Sequence, residues 1–342
     1  MTRLRTVSVA LMLSLAIAAG ATWWLRAPDK RLTNRARNVA ALSVIKPGGL
    51  DVYTWINRRE LLCFREGAAA IDGSFGNGLI VRDVRSGAER HLSRLERLFF
   101  YGVGHGISGY DVSTDGRWLL WKAEEQVRAT LLDGSRDLRW PEPWGNSGEI
   151  RWLADSSGWA AFFLMTQPKQ CVINRLEDTA PSKPFKFKAL SSAVSSETPT
   201  VLPSREVLTN DPSPGVSPVS VVRLQLDGNQ SLAQVHPVRP PRGTLRGYLC
   251  FSYDGRRMAW VLTMNRRSSF PSWLRRLLPF VRTGDGLFQS LWVSGLDYRN
   301  LRELCYIEMK PGDEALRNVR WLPDNRTLSF EHAGALWTIG AD

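Results

Sequence analysis

A nine-residue pattern recurs along this chain and restricts its fold more than any other feature. Ser113-Thr114-Asp115-Gly116-Arg117-Trp118-Leu119-Leu120-Trp121 is echoed by Ser252-Tyr253-Asp254-Gly255-Arg256-Arg257-Met258-Ala259-Trp260 and by Leu322-Pro323-Asp324-Asn325-Arg326-Thr327-Leu328-Ser329-Phe330. Weaker copies occupy residues 153–162 and 55–62. Each sets a tight Asp-Gly or Asn-type turn ahead of an apolar strand, a hairpin signal because such turns need residues that tolerate positive φ. A second, looser element follows, in which a strand runs into an Asp/Gly turn: residues 79–87, 129–134, 221–228 and 291–297.

Two hairpins per unit make four strands, and a repeated four-stranded unit is the pattern of a β-propeller blade. The turn residues Asn57, Asp115, Asp155, Asp254 and Asp324 are separated by 58, 40, 99 and 70 positions. The gap of 99 holds two units, one of which has lost its first hairpin within the Pro-rich stretch 198–218 but keeps its second at 221–228. That stretch reads as a long loop, and long propeller loops often carry binding function. The gap of 70 is one unit plus an insertion over 264–288. The expected fold is therefore all-β, a six-bladed β-propeller over residues 38–342. The last unit stops at its third strand, which would leave an open edge liable to aggregate. The spare apolar segment from Asn38 to Ile45 is expected to pair there and close the ring.

The repeat resembles that of the TolB-like, WD40-type propellers, written roughly S-P-D-G-x-x-[IL]-A-[FW]. The best matches are residues 113–121, 252–260 and 322–330; only Asp324 follows the family's Pro, at Pro323. The resemblance implies the fold and little about function, because propellers carry many roles.

Ahead of the repeats, residues 6–25 contain no charge, about the length that crosses a bilayer core, with Trp23 and Trp24 at the far end. Residues 1–25 are read as a signal anchor or signal peptide, and 26–37 as a basic juxtamembrane linker. An uncleaved anchor is favoured because the apolar run exceeds the usual 7–15 residues of a signal core. The propeller is expected on the extracytoplasmic side.

The net charge of +12 raises a nucleic-acid reading, which its distribution opposes. Residues 1–37 carry +6 and residues 266–282 carry +5, leaving +1 for the other 288. Both basic segments adjoin apolar, Trp-containing sequence, which suits an anionic membrane surface.

Chemical motifs are few. His91, His105, His236 and His332 fall in different units, and Cys63, Cys171, Cys250 and Cys305 lie far apart, so neither set has zinc-like spacing. The thiols read as small buried hydrophobes, with one long-range disulfide left open. Residues 104–109 fit G-x-G-x-x-G but precede a strand rather than a helix, so they read as a glycine-rich loop. Asp115, Asp155, Asp254 and Asp324 read as turn formers rather than acid–base residues. No catalytic, cofactor or metal residue is assigned.

The most unusual segment is the insertion. Trp273, Leu274, Leu277 and Leu278 recur at helical spacing beside Arg275, Arg276, Phe280 and Arg282, as in a short basic amphipathic helix contacting a membrane or a partner, or in an insertion folded back on its own blade. The expected function is a membrane-anchored, non-catalytic binding protein with a protein partner in the cell envelope. The alternative is a carbohydrate- or peptide-processing enzyme, recognisable by His, Arg and acidic side chains converging at the channel mouth. Mass spectrometry of the native protein is expected to find residues 1–21 attached; a chain beginning at Thr22 would contradict the anchor.

Overall fold

The computed structural model describes residues 30–46, 52–69, 75–92, 110–123, 126–141, 148–163, 170–178, 185–186, 200–201, 206–211, 220–227, 230–237, 241, 244–266, 286–297, 299–309 and 315–342. The first blade is an antiparallel meander of β2 (Val52–Trp55), β3 (Glu60–Ala69), β4 (Phe75–Asp83) and β5 (Glu89–His91). The second contains β6 (Tyr110–Val112), β7 (Trp118–Ala123), β8 (Gln126–Leu131) and β9 (Asp137–Pro141). Then come β10 (Gly148–Trp152), β11 (Gly158–Phe163), β12 (Gln170–Arg175), β13 (Phe185–Lys186), β14 (Thr200–Val201), β15 (Glu206–Asp211), β16 (Ser220–Asp227) and β17 (Gln230–Pro237). The next blade is β18 (Thr244–Phe251), β19 (Arg257–Arg266), β20 (Gly286–Gly295) and β21 (Arg302–Glu308). The last is β22 (Arg317–Trp321), β23 (Thr327–His332) and β24 (Ala335–Gly340), completed by β1 (Arg37–Ala41).

The blade count differs from the expectation of six. Strands β10 to β17 form one eight-stranded sheet, in which the edge strands β13 and β17 join through the parallel pair Lys186↔Gln230. The described residues thus make five blades rather than six. Turn spacing counts hairpins and says nothing about edge pairing, so it divided one sheet into two.

The first strands of the blades adjoin one another, β2 beside β6, β6 beside β10 and β18 beside β22, which makes them the inner ring. Period-2 alternation sends side chains from each strand to both neighbouring blades. Leu119 and Trp121 of β7 pack with Leu62, Leu79 and Val81 of the first blade. Trp118 and Leu120 of the same strand pack with Ile150, Trp152 and Trp159 of the third. The core is a set of apolar wedges between blades.

Tryptophans at the ends of inner strands fasten three of the wedges. Trp152 Nε1 donates to Asp111 O at 3.1 Å, Trp321 Nε1 to Cys250 O at 3.1 Å, and Trp55 Nε1 to Ser329 Oγ at 2.8 Å. Each bond reaches back to the preceding blade, and in the third case it crosses from first blade to last. The ring also closes through β1, antiparallel to β24 with Asn38↔Trp337 and Ala41↔Ala335. The expected closing segment is strand only as far as Ala41; Leu42–Ile45 is a helical turn, α2. It turns because Ile45 is buried against Tyr53, Trp55 and Leu336, a wedge an extended edge strand would pass by. Before β1, the short helix α1 (Leu32–Arg35) buries Leu32, and Lys30 O accepts from Tyr306 N at 3.0 Å. Among the described residues no helix is long and apolar enough to cross a membrane; residues 6–25 lie outside them.

The turn aspartates do what the repeat implies. Asp115, Asp155, Asp254 and Asp324 each accept, at Oδ1, the backbone N–H two residues on, at 3.0, 3.0, 3.1 and 2.7 Å. Gly116, Ser156, Gly255 and Asn325 follow them at positive φ. These turns also dock on each other. Ser156 Oγ accepts from Asp115 N at 3.3 Å and Asn325 Oδ1 from Asp254 N at 3.1 Å, in both cases reaching the preceding blade, while Arg58 pairs with Asp324 across the closure.

Gly116 takes part through backbone contact, since a Cβ there would stand 2.6 Å from Ile56 O at φ +70°. Gly334, at φ +68°, has nothing within 4 Å of its would-be Cβ. Both alanine substitutions carry the left-handed penalty of about 1–2 kcal/mol. Gly116→Ala is expected to cost about 1–3 kcal/mol more than Gly334→Ala, because only it overpacks the blade contact. Chemical denaturation checks this; equal losses would contradict docking of the turns.

Candidate functional site

Counting back four residues from each turn aspartate lands on Asp111, Arg151, Cys250 and Arg320, each one residue before the end of an inner strand. Thr54, beside Trp55, holds the corresponding place in the first blade. Arg151 is half-buried between buried Ile150 and Trp152, and Arg320 between buried Val319 and Trp321, so alternation puts the arginines on the face that the Trp side chains leave.

Three of these groups, with Tyr253 from the turn after β18, form one electrostatic cluster. Asp111 feels the charges of Arg151 and Arg320, and Tyr253 feels Asp111, Arg320 and Arg151. The four come from four different blades, each on an inner strand or on the turn that follows one. Asp111 Oδ2 accepts from Trp152 N at 2.9 Å. Arg320 Nη1 donates to Tyr53 O at 3.1 Å, and its guanidinium lies 5.6 Å from the Tyr53 ring.

Burial pushes the Asp111 carboxyl up from its ordinary value, against the opposing pull of Arg151, the Trp152 and Val112 amides, and Arg320. Burial also pushes the Tyr253 phenol up, reinforced by the Asp111 charge. Asp111 and Tyr253 are half-buried residues. With Asp111 ionised, these described groups carry one net positive charge. Two guanidiniums held in a confined, low-dielectric space recognise oxyanions through charge-assisted, often bidentate hydrogen bonds.

A second polar cluster lies at the closure seam. Glu331 Oε1 accepts from Lys46 Nζ at 2.6 Å, Asn318 Nδ2 at 2.8 Å and Tyr53 OH at 2.9 Å. Burial pushes this carboxyl up, but the bonds from Lys46, Asn318 and Tyr53 outweigh it and hold it below the usual range. Tyr53 is common to both clusters: its hydroxyl binds Glu331 and its carbonyl binds Arg320. The buried pair of Arg128 and Asp137, with Arg128 4.4 Å over the Trp121 ring, stays inside the second blade.

The residues singled out by sequence, Trp273, Leu274, Arg275, Arg276, Leu277, Leu278, Phe280 and Arg282, lie outside the described residues. Their insertion connects Arg266 and Gly286, which are register partners in β19 and β20. The blade that carries it is also the one against which Lys30 and Arg31 dock, through β21. His91 and His332 are not brought together, and Cys63, Cys171, Cys250 and Cys305 are buried and unbridged. Burial pushes the Cys305 thiol up to about 12. No group of three or more metal-ligating side chains occurs among the described residues. Asp111, Arg151, Arg320 and Tyr253 were not singled out from sequence; for the first three a fixed offset of four residues from the turn aspartate was the available signal.

No family model and no curated protein matches the chain. Among solved structures it is similar to Kuenenia stuttgartiensis hydrazine synthase, at 8% identity and a TM-score of 0.47 over 82% of this chain and 72% of that one. It is similar to TolB from Acinetobacter baumannii at 11% identity and 0.47, covering 83% of this chain and 64% of that one, under two thirds of its length. An oligogalacturonate lyase from Vibrio parahaemolyticus matches at 11% identity and 0.46, over 92% and 96%. Likenesses this loose carry no argument about function; the propeller rests on the sheets, the inner ring and the closing strand.

Proposed function

We propose that this protein is a non-catalytic binding propeller of the cell envelope, anchored through residues 6–25 and engaging a protein partner at its central channel. One observation carries the reading: Asp111 and Tyr253, from two blades, each lie within electrostatic reach of Arg151 and Arg320, from two others. Packing between blades is already served by apolar wedges and Trp bonds, so charges on the axis, costly to desolvate, are better explained by a ligand than by stability. The membrane side of the proposal has its own support. The basic insertion and the docked N-terminal chain belong to the same blade, so an anchor would hold that blade near the bilayer. Residues Arg275, Arg276 and Arg282 would then contact anionic lipid, each contributing about 1 kcal/mol.

The same cluster favours one other reading. A buried carboxyl with a raised pKa is also the equipment of a general acid, as an enzyme processing carbohydrate or peptide at the channel mouth requires.

The test is a pull-down with the full chain from detergent-solubilised membranes, comparing wild type with the Arg151→Ala/Arg320→Ala double variant. The proposal expects a partner captured intact by wild type and lost by a double variant of unchanged thermal midpoint. Equal capture by both would contradict channel binding. Cleavage of the partner by wild type but not by Asp111→Asn would establish the enzyme instead.

A further inference from the structure

Resting on the reading of residues 6–25 as an anchor, we propose that the ring lies against an anionic bilayer on the face opposite its aspartate turns, with Val44, Leu245 and Leu287 in contact with lipid. Among the described residues these three are the exposed large apolar side chains, at 41, 59 and 40% exposure. Strand register puts all three on one face. Leu245 and Leu287 are the second residues of β18 and β20, and antiparallel pairing sets those starts beside the ends of β19 at Arg266 and of β21 at Glu308. In the last blade the matching end is the turn between β23 and β24. There Leu42 N donates to Gly334 O at 2.8 Å, which brings α2, with Val44, to the same face. The turns of Asp254 and Asp324 follow the other ends of β18 and β22, and they dock on each other through Asp254 N and Asn325 Oδ1.

A large apolar side chain exposed singly is ordinary, whereas several gathered on one face mark a contact surface. The same face has a further apolar feature, a cavity of about 320 Å³ over buried Leu32 and Ile307 and half-buried Trp337, bordered by exposed Arg31 and Glu308.

Chain length and charge select the occupant. Lys30 O accepts from Tyr306 N, and Tyr306 stands two residues from the Glu308 end of β21 and four from its Arg302 end. The attachment point of the N-terminal chain is therefore nearer the face that carries the leucines. Five residue steps separate Lys30 from Leu25, the end of the uncharged run, which keeps the two within ~18 Å. The connection between β19 and β20 leaves from this face, and residues 266–282 carry five arginines and no acid, which matches anionic headgroups. Apolar contact and cation attraction add in interfacial binding, so a face with both suits an anionic bilayer. The aspartate turns then point to the aqueous side.

The experiment uses the full chain reconstituted in vesicles of phosphatidylcholine and phosphatidylglycerol that contain a nitroxide-bearing phospholipid. Val44→Cys, Leu245→Cys and Leu287→Cys, with Arg256→Cys and Arg326→Cys on the opposite face, each carry a bimane fluorophore. The unvaried chain, whose cysteines are buried, gives the labelling background. Lipid quenching is expected at the first three labels and absent at the two arginine positions. A Leu245→Glu/Leu287→Glu pair of substitutions, at exposed positions and with an unchanged thermal midpoint, is expected to cut quenching of the Val44→Cys label about threefold.

Quenching at the arginine positions, or equal quenching at all five, would overturn the assignment. Carbonate extraction of the same vesicles separates this proposal from the anchor. A chain that resists extraction while the first three labels stay bright would refute the face and leave the anchor intact. A chain that is extracted, although its three labels were quenched beforehand, would refute the anchor and leave the face intact. If the labels stay bright and the glutamate pair loses a protein captured by wild type, the face is a protein interface and the lipid assignment falls.

Discussion

The pairing of β1 with β24 is the constraint on which the rest of the molecule depends. Each blade is a short twisted sheet that buries both faces only when a blade stands on either side. A ring left open between β24 and β2 would expose the apolar wedge of Tyr53, Trp55, Leu61, Leu322 and Leu336 together with a bare strand edge. The N-terminal stretch prevents this by binding three blades in succession. Lys30 pairs with β21, residues 37–41 complete the last sheet, and Lys46 reaches Glu331 beside Tyr53 of the first blade. That last contact joins architecture to chemistry. Tyr53 is fixed by Glu331 through its hydroxyl and fixes Arg320 through its carbonyl, so the closure seam sets the position of the Arg320 charge.

Local chemistry made much of this fold legible. The turn aspartates announce themselves because a side-chain oxygen accepting the backbone N–H two residues on, followed by a residue at positive φ, is a short-range device. The closing strand was legible from a deficit, a last unit with three strands and an apolar segment left over. Its helical turn was not, because Leu42–Ile45 coils for a contact made by Ile45 with Tyr53 and Trp55 of the first blade and with Leu336, 291 positions later. The number of blades escaped for a related reason. The bridge Lys186↔Gln230 is an edge pairing between units, and no turn residue marks it.

The candidate site was the least legible part. Asp111, Arg151 and Arg320 are single charges within otherwise ordinary strands, up to 209 positions apart, and nothing near any one of them signals the others. They come together because the repeat places the same offset from the turn at the same height on each inner strand. The repeat was thus readable as architecture while its consequence, a shared position around an axis, depends on closure. The amphipathic insertion drew attention because its pattern is local; the axial cluster has no local pattern at all.

The claim that closure organises the ring is most directly tested by hydrogen exchange of the full chain, read at peptides covering residues 37–41 and 335–340. If β1 is an integral strand, both peptides are expected to exchange slowly and together, at the rate of global opening expected for β23. If the 37–41 amides exchange fast while 335–340 stays protected, the strap is only lying on the last blade, and closure is not what holds the axis together.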